Sequence, residues 1–193
     1  AAAARDREEG DLAPVLWVFD TNVWMEDAAT GDVRYAANVV LSARPDVQLL
    51  LPREVLRELD GLKKGGPGRG DERTAFQARE GSRLVEELLT DPRGLGAGRR
   101  YPLLRGQRDG ELWRDPQGGI HGRPERLRAD AAVLNCCLHF SRARRRRVVL
   151  LSRDRNLRQV ARVNGVEAAD PCPQRGANLY ALGRDEKEAG GGD

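Results

Sequence analysis

Val15-Leu16-Trp17-Val18-Phe19-Asp20-Thr21-Asn22 is the stretch that decides how the chain is read. Five consecutive apolar residues, rich in β-branched and aromatic side chains, are too few to span a membrane and lack the alternation of a half-exposed strand. They predict a strand buried on both faces, as in a parallel sheet covered by helices. The run ends on a carboxylate. Ligands of open α/β sheets bind beyond the carboxyl ends of the strands, so Asp20 is delivered to the place where chemistry is expected. Thr21 and Asn22 follow it with turn and helix-capping side chains.

The same kind of run recurs at Val47 to Leu51 and at Val148 to Leu151, and Val166 to Ala168 reads as a last edge strand. Helical spacing of apolar residues fills the intervals: Val33 to Leu41, Val55 to Leu62 after a Pro52 placed in the first turn, Thr74 to Leu89, Asp130 to Leu138, and Asn156 to Val163. Strands alternating with helices predict an α/β, Rossmann-like fold with a central parallel sheet flanked by helices. One domain is expected over 14–182, with a disordered leader at 1–13, a disordered tail at 183–193 and flexible loops at 63–71 and 91–124. Within the second loop, Tyr101 to Leu104 and Glu111 to Trp113 are expected to pair as a short hairpin. Neither glycine-rich loop has the preceding strand and following helix of a phosphate-binding signature.

Composition narrows the function. The 193 residues carry 33 basic and 30 acidic side chains, a net charge of only +3, so no strong global field holds a polyanion. Only Lys63, Lys64 and Lys187 are lysines; the other basic residues are arginine, suited to phosphate, although abundant Arg, Ala and Gly also fit a coding bias. Two histidines and three cysteines, two of them adjacent, make a zinc site or a disulfide framework a poor fit and point to a reducing, intracellular setting in cytoplasm or nucleus. No apolar run approaches the roughly 20 residues of a membrane span.

Strand ends supply Asp20 and Asp154, a helix start supplies Asp130, and the helix after the second strand supplies Glu58, which shares a face with Glu54. In a parallel sheet these points fall on one edge. Four carboxylates gathered there repel one another unless a hard divalent cation offsets the charge, and oxygen-only donors select Mg²⁺ or Mn²⁺. Such a site points to phosphoryl transfer with water as the nucleophile. Arg144, Arg145, Arg146 and Arg147, with Arg153 and Arg155, are candidate RNA contacts, against the plainer reading of a solvated basic connection.

Four motifs in series resemble the PIN nuclease family: Val18-Phe19-Asp20-Thr21-Asn22; Leu51-Pro52 leading to Glu58-Leu59-Asp60-Gly61-Leu62; Asp130 followed by Leu134-Asn135-Cys136-Cys137-Leu138-His139-Phe140; and Val149-Leu150-Leu151-Ser152-Arg153-Asp154-Arg155-Asn156-Leu157. Their order and spacing are similar to the PIN domain of Smg-type endonucleases of nonsense-mediated mRNA decay and of Swt-type relatives. The resemblance implies a metal-dependent endoribonuclease acting on single-stranded RNA and leaving a 5′-phosphate and a 3′-hydroxyl. Asp20, Asp130 and Asp154 would hold the metal, with Glu58 acting directly or through water and Thr21, Asn22 and Ser152 in support. It also implies other RNA-decay factors as partners through a longer parent chain. Two positions depart from the pattern: Ala131 stands where many relatives carry a second acid, and Ser152 where threonine is common.

Other readings lose on particular residues. A haloacid-dehalogenase-like phosphatase needs an acid two positions after its strand-end aspartate, where this chain has Asn22. A dinucleotide-binding dehydrogenase needs a glycine fingerprint after its first strand, and Leu16 to Phe19 leads to none. The competing class is a catalytically weak PIN domain that binds RNA or protein as a scaffold.

Overall fold

The computed structural model describes residues 13–65, 71–90, 101–114, 128–172, 178, 179 and 182. Five strands form one sheet: β1 (Val15–Phe19), β2 (Val47–Leu51), β3 (Leu104–Gly106), β4 (Val148–Leu151) and β5 (Glu167–Ala169). The helices are α1 (Thr21–Thr30), α2 (Asp32–Ala43), α3 (Arg53–Lys63), α4 (Glu72–Thr90), α5 (Ala129–Leu138) and α6 (Arg155–Val163), with a π-helical turn at His139–Ala143 closing α5. All strand pairs are parallel and the spatial order is β3-β2-β1-β4-β5. The chain therefore builds to one side of β1 and then reverses to the other, which makes the β1/β4 junction the topological switch point.

The apolar runs behave as a doubly covered sheet requires. Every residue of β1, β2 and β4 is buried, and the helices contribute Trp24, Val33, Val40, Val55, Leu59, Leu84 and Val133 to the same core. Trp24 meets Phe19 edge to face, with ring centroids 5.7 Å apart, an arrangement the ring quadrupoles favour. One charge lies deep in the scaffold. Arg44 is fully buried after α2, 5.8 Å over the Trp17 ring, paired with Asp46 at 2.7 Å and donating to the Leu182 carbonyl at 2.9 Å.

Two local expectations are corrected. Residues 104–106 do not fold back on 111–113 as a hairpin; they add a parallel strand to the open edge of β2, with Leu49 opposite Leu104 and Gln48 donating to the Pro102 carbonyl at 2.9 Å. Pairing with β2 buries Leu103 and Leu104, which a two-stranded hairpin would leave wet. Trp113 instead attaches to α5, where the Asn135 side chain accepts from its amide and donates to its carbonyl at 2.9 and 2.8 Å. Pro52 stands one position ahead of α3 with extended backbone rather than within its first turn. The expected leader up to residue 12, the tail and the loop segments 66–70, 91–100 and 115–124 lie outside the described residues. Among the described residues no helix is long and apolar enough to cross a membrane.

Candidate functional site

The site forms at the switch point because both strands there end on oxygen-bearing side chains. Asp20 follows β1, and its buried carboxylate accepts from the Thr21 amide through Oδ1 at 2.7 Å and from the Ser152 hydroxyl through Oδ2 at 2.7 Å. Ser152 follows β4, so this second bond joins the two halves of the sheet. Its hydroxyl also accepts from the Asp154 amide at 3.0 Å. Asp154 in turn caps α6, its Oδ1 accepting from the amides of Asn156 and Leu157 at 2.7 and 3.2 Å, which satisfies donors that a helix start leaves open.

The other two acids arrive on helices. Thr21, the first residue of α1, donates its hydroxyl to Glu58 Oε2 from α3. Asp130 lies in the first turn of α5, exposed and with no hydrogen bond or ion pair among the described residues, and α5 packs against α3. The carboxylates feel one another. Burial raises Asp20 above the ordinary 3.8, the Ser152 and Thr21 hydrogen bonds oppose the rise, and the charges of Asp130 and Asp154 add to it. Burial likewise raises Glu58 above 4.5, opposed by Thr21 and reinforced by Asp20, Glu54 and Asp130. Asp20, Glu58, Asp130 and Asp154, drawn from four separate elements, thus share one electrostatic neighbourhood.

The donor set fits a hard divalent cation in kind: it is all oxygen, it is anionic, and the mutual repulsion is what such an ion would relieve. It is not a finished chelate. Among the described residues no three His, Cys, Asp or Glu side chains are grouped so as to hold a metal ion as they stand. Both Asp20 oxygens and one oxygen each of Glu58 and Asp154 accept hydrogen bonds within the site.

The arginines divide. Arg155, the first residue of α6, is exposed beside Asp154 at this edge. Arg153 turns inward instead: its side chain is 14 % exposed and its guanidinium pairs with Glu26 and Asp32, so it is removed from the candidate RNA contacts. The run Arg144 to Arg147 precedes β4 and lies at the opposite edge of the sheet. Arg146 donates to the Pro14 carbonyl at 2.8 Å, the Arg147 carbonyl accepts from the Leu16 amide at 2.9 Å, and Arg144 and Arg145 are exposed. Four strand residues at about 3.3 Å each separate this run from the acids by about 13 Å. The direction of the strand was the available signal: residues before a parallel strand cannot share the edge reached after it.

Nearby groups are quiet. Cys136, Cys137 and Cys172 are buried and free, and burial pushes the Cys137 thiol up to about 12, which leaves it protonated and unreactive. His139 is buried against Phe140, its basicity lowered by burial, and lies apart from Asp130 on the other end of the helix. A family model described as PIN domain matches residues 17–171. No curated protein matches the chain.

Proposed function

Since the chain belongs to the PIN domain family, whose members are generally nucleases that use divalent metal ions, we propose that it is an Mg²⁺- or Mn²⁺-dependent endoribonuclease of single-stranded RNA. One observation carries the reading: the Ser152 hydroxyl ties the Asp20 carboxylate to the Asp154 amide across the switch point, and Asp20 feels the charges of Asp130 and Asp154 while Glu58 feels those of Asp20 and Asp130. Asp20, Asp130 and Asp154 would hold the ion, which when bound supplies Lewis acidity toward a phosphate oxygen and lowers the pKa of water. Ser152 fixes the Asp20 carboxylate plane. Thr21 anchors Oε2 of Glu58 and leaves Oε1 to accept a proton, a role its raised pKa suits. Arg155 is placed to meet phosphate at the same edge.

The motif order and spacing support a place near the Smg-type and Swt-type PIN domains, and with it a role in RNA decay or nonsense-mediated surveillance, in cytoplasm or nucleus, beside other decay factors. With aromatic residues at 5% of the chain, base stacking contributes little, so backbone contact and low sequence preference are expected. The assay is cleavage of unstructured RNA with Mn²⁺. Asp20→Asn and Asp130→Asn should each lower the rate by more than about 100-fold, beyond the 10- to 100-fold loss typical of groups that only orient metal ligands. The second reading is a scaffold that binds RNA or protein without cutting; it is compatible with the lack, among the described residues, of three acids grouped to hold an ion as they stand. Undiminished activity in EDTA would remove the metal mechanism; no cleavage at all, with RNA still bound, would establish the scaffold.

A further inference from the structure

Arg153 stands between Ser152 and Asp154 in the turn that leaves β4. Its amide donates to Asn22 Oδ1 in α1 at 3.3 Å. Its guanidinium divides between two carboxylates, Nη1 to Glu26 of α1 and Nη2 to Asp32, the first residue of α2, which is itself 2 % exposed. The Asp32 arm is withdrawn from water, so neither partner can leave it without stranding a charge, whereas Glu26 is 40 % exposed and its arm contributes less. The turn is thus fastened at three points to the helical pair that follows β1. On its other side, Arg158 donates to the Ser152 carbonyl at 2.6 Å.

We propose that Arg153 is a positioning residue: its bridge to Glu26 and Asp32 fixes the β4–α6 turn against α1 and so sets the separation of the Asp20 and Asp154 carboxylates for a divalent cation. The inference rests on the reading of these acids as a cation site. Ser152 alone is a short tether, reaching Asp20 with one hydroxyl and the Asp154 backbone with its lone pair. Arg153 braces the same turn over a longer arm, from the side of α1 and α2. An arginine so engaged turns its guanidinium toward these acids rather than toward a substrate phosphate.

The test compares wild type with Arg153→Lys, Arg153→Met and the neutral triple variant Arg153→Met/Glu26→Gln/Asp32→Asn, which removes the bridge without leaving a buried charge. Mn²⁺ affinity is read from the dependence of Tm on Mn²⁺ concentration, and kcat and KM for RNA are measured separately. The expected result is a 10- to 100-fold loss of Mn²⁺ affinity in the Met and triple variants, the range for removal of groups that orient metal ligands. Arg153→Lys, which reaches one acid at a time, should fall between. RNA KM should hold at saturating Mn²⁺, and kcat should recover there. A folded triple variant with wild-type Mn²⁺ affinity would overturn the proposal and leave the bridge a purely structural one. A raised RNA KM with unchanged Mn²⁺ affinity would overturn it in favour of phosphate contact. Wild type that does not respond to Mn²⁺ would remove the cation site itself, a failure distinct from either.

Discussion

At the end of β1 a single carboxylate meets opposing demands. Asp20 is buried, its neighbours include Asp130 and Asp154, and its pKa is raised despite two hydrogen bonds that favour the ionised form. A carboxyl with a raised pKa binds its proton more tightly in the folded than in the unfolded chain. Its contribution to stability is therefore full below about 3.8 and is lost as pH rises through the folded value. Glu58 follows the same sign from 4.5 upward. In metal-free protein at pH 7, Asp20→Asn should thus raise Tm by a few degrees, and the gain should shrink as pH falls toward 4. Melting curves in EDTA across pH 4–8 check this; a variant less stable than wild type at pH 7 would show that hydrogen bonding outweighs the charge. Asp20 and Asp154 were legible because each closes an apolar run whose burial the sequence dictates. The partners of Arg153 were not: Glu26 and Asp32 lie more than 120 residues earlier, and only the packing of α1 and α2 beside β4 brings them to it.

Among the elements, α1 and α3, which carry Thr21 and Glu58, both pack against α4. Gly81 of α4 sits in this contact with no room for a side chain: a Cβ would fall 2.9 Å from the Trp24 carbonyl oxygen of α1 and 3.5 Å from Leu59 of α3. In an open helix Gly→Ala gains about 1 kcal/mol. Here the clash with backbone reverses the sign, since overpacking costs about 1–3 kcal/mol. Gly81→Ala should therefore lose up to about 2 kcal/mol, seen as a lower urea midpoint with an unchanged m-value, and should disturb the Thr21–Glu58 contact; a stabilised variant would mean that α1 shifts freely. The covered strands were readable from their apolar runs, whereas the partner of β3 was not, because a short segment at 101–104 carries no pattern that tells a local hairpin from addition to the open edge of β2. The arginine run is an element-scale case as well. Arg144→Ser/Arg145→Ser/Arg147→Ser should flatten the salt dependence of binding to long RNA yet leave kcat on a short oligonucleotide unchanged, given about 13 Å of strand between run and acids. Loss of kcat on the short substrate would place the run in the site.

The molecule as a whole stores its charge conflict at one place. The strand order β3-β2-β1-β4-β5 puts the topological switch point at the paired ends of β1 and β4, and four separate elements deliver acids there. Helix packing holds those acids together in the absence of a cation, so part of the folding free energy opposes their repulsion. A ligand that binds only the folded state returns stability in proportion to the logarithm of its concentration, about 2.7 kcal/mol at 100 times Kd. For a domain of this size each kcal/mol moves Tm by about 2–4 °C. Mn²⁺ should therefore raise Tm by about 5–10 °C at that saturation, and Mg²⁺ should do so at higher concentration. The same titration on Asp20→Asn should give little shift, because the carboxylate that Asp130 and Asp154 both act on is gone, although that variant begins from the higher metal-free Tm. A monovalent salt at matched ionic strength separates a cation site from mere screening, since screening alone would reproduce the shift without Mn²⁺. A wild-type Tm indifferent to millimolar Mn²⁺ would leave the repulsion without its counter-ion and favour the scaffold.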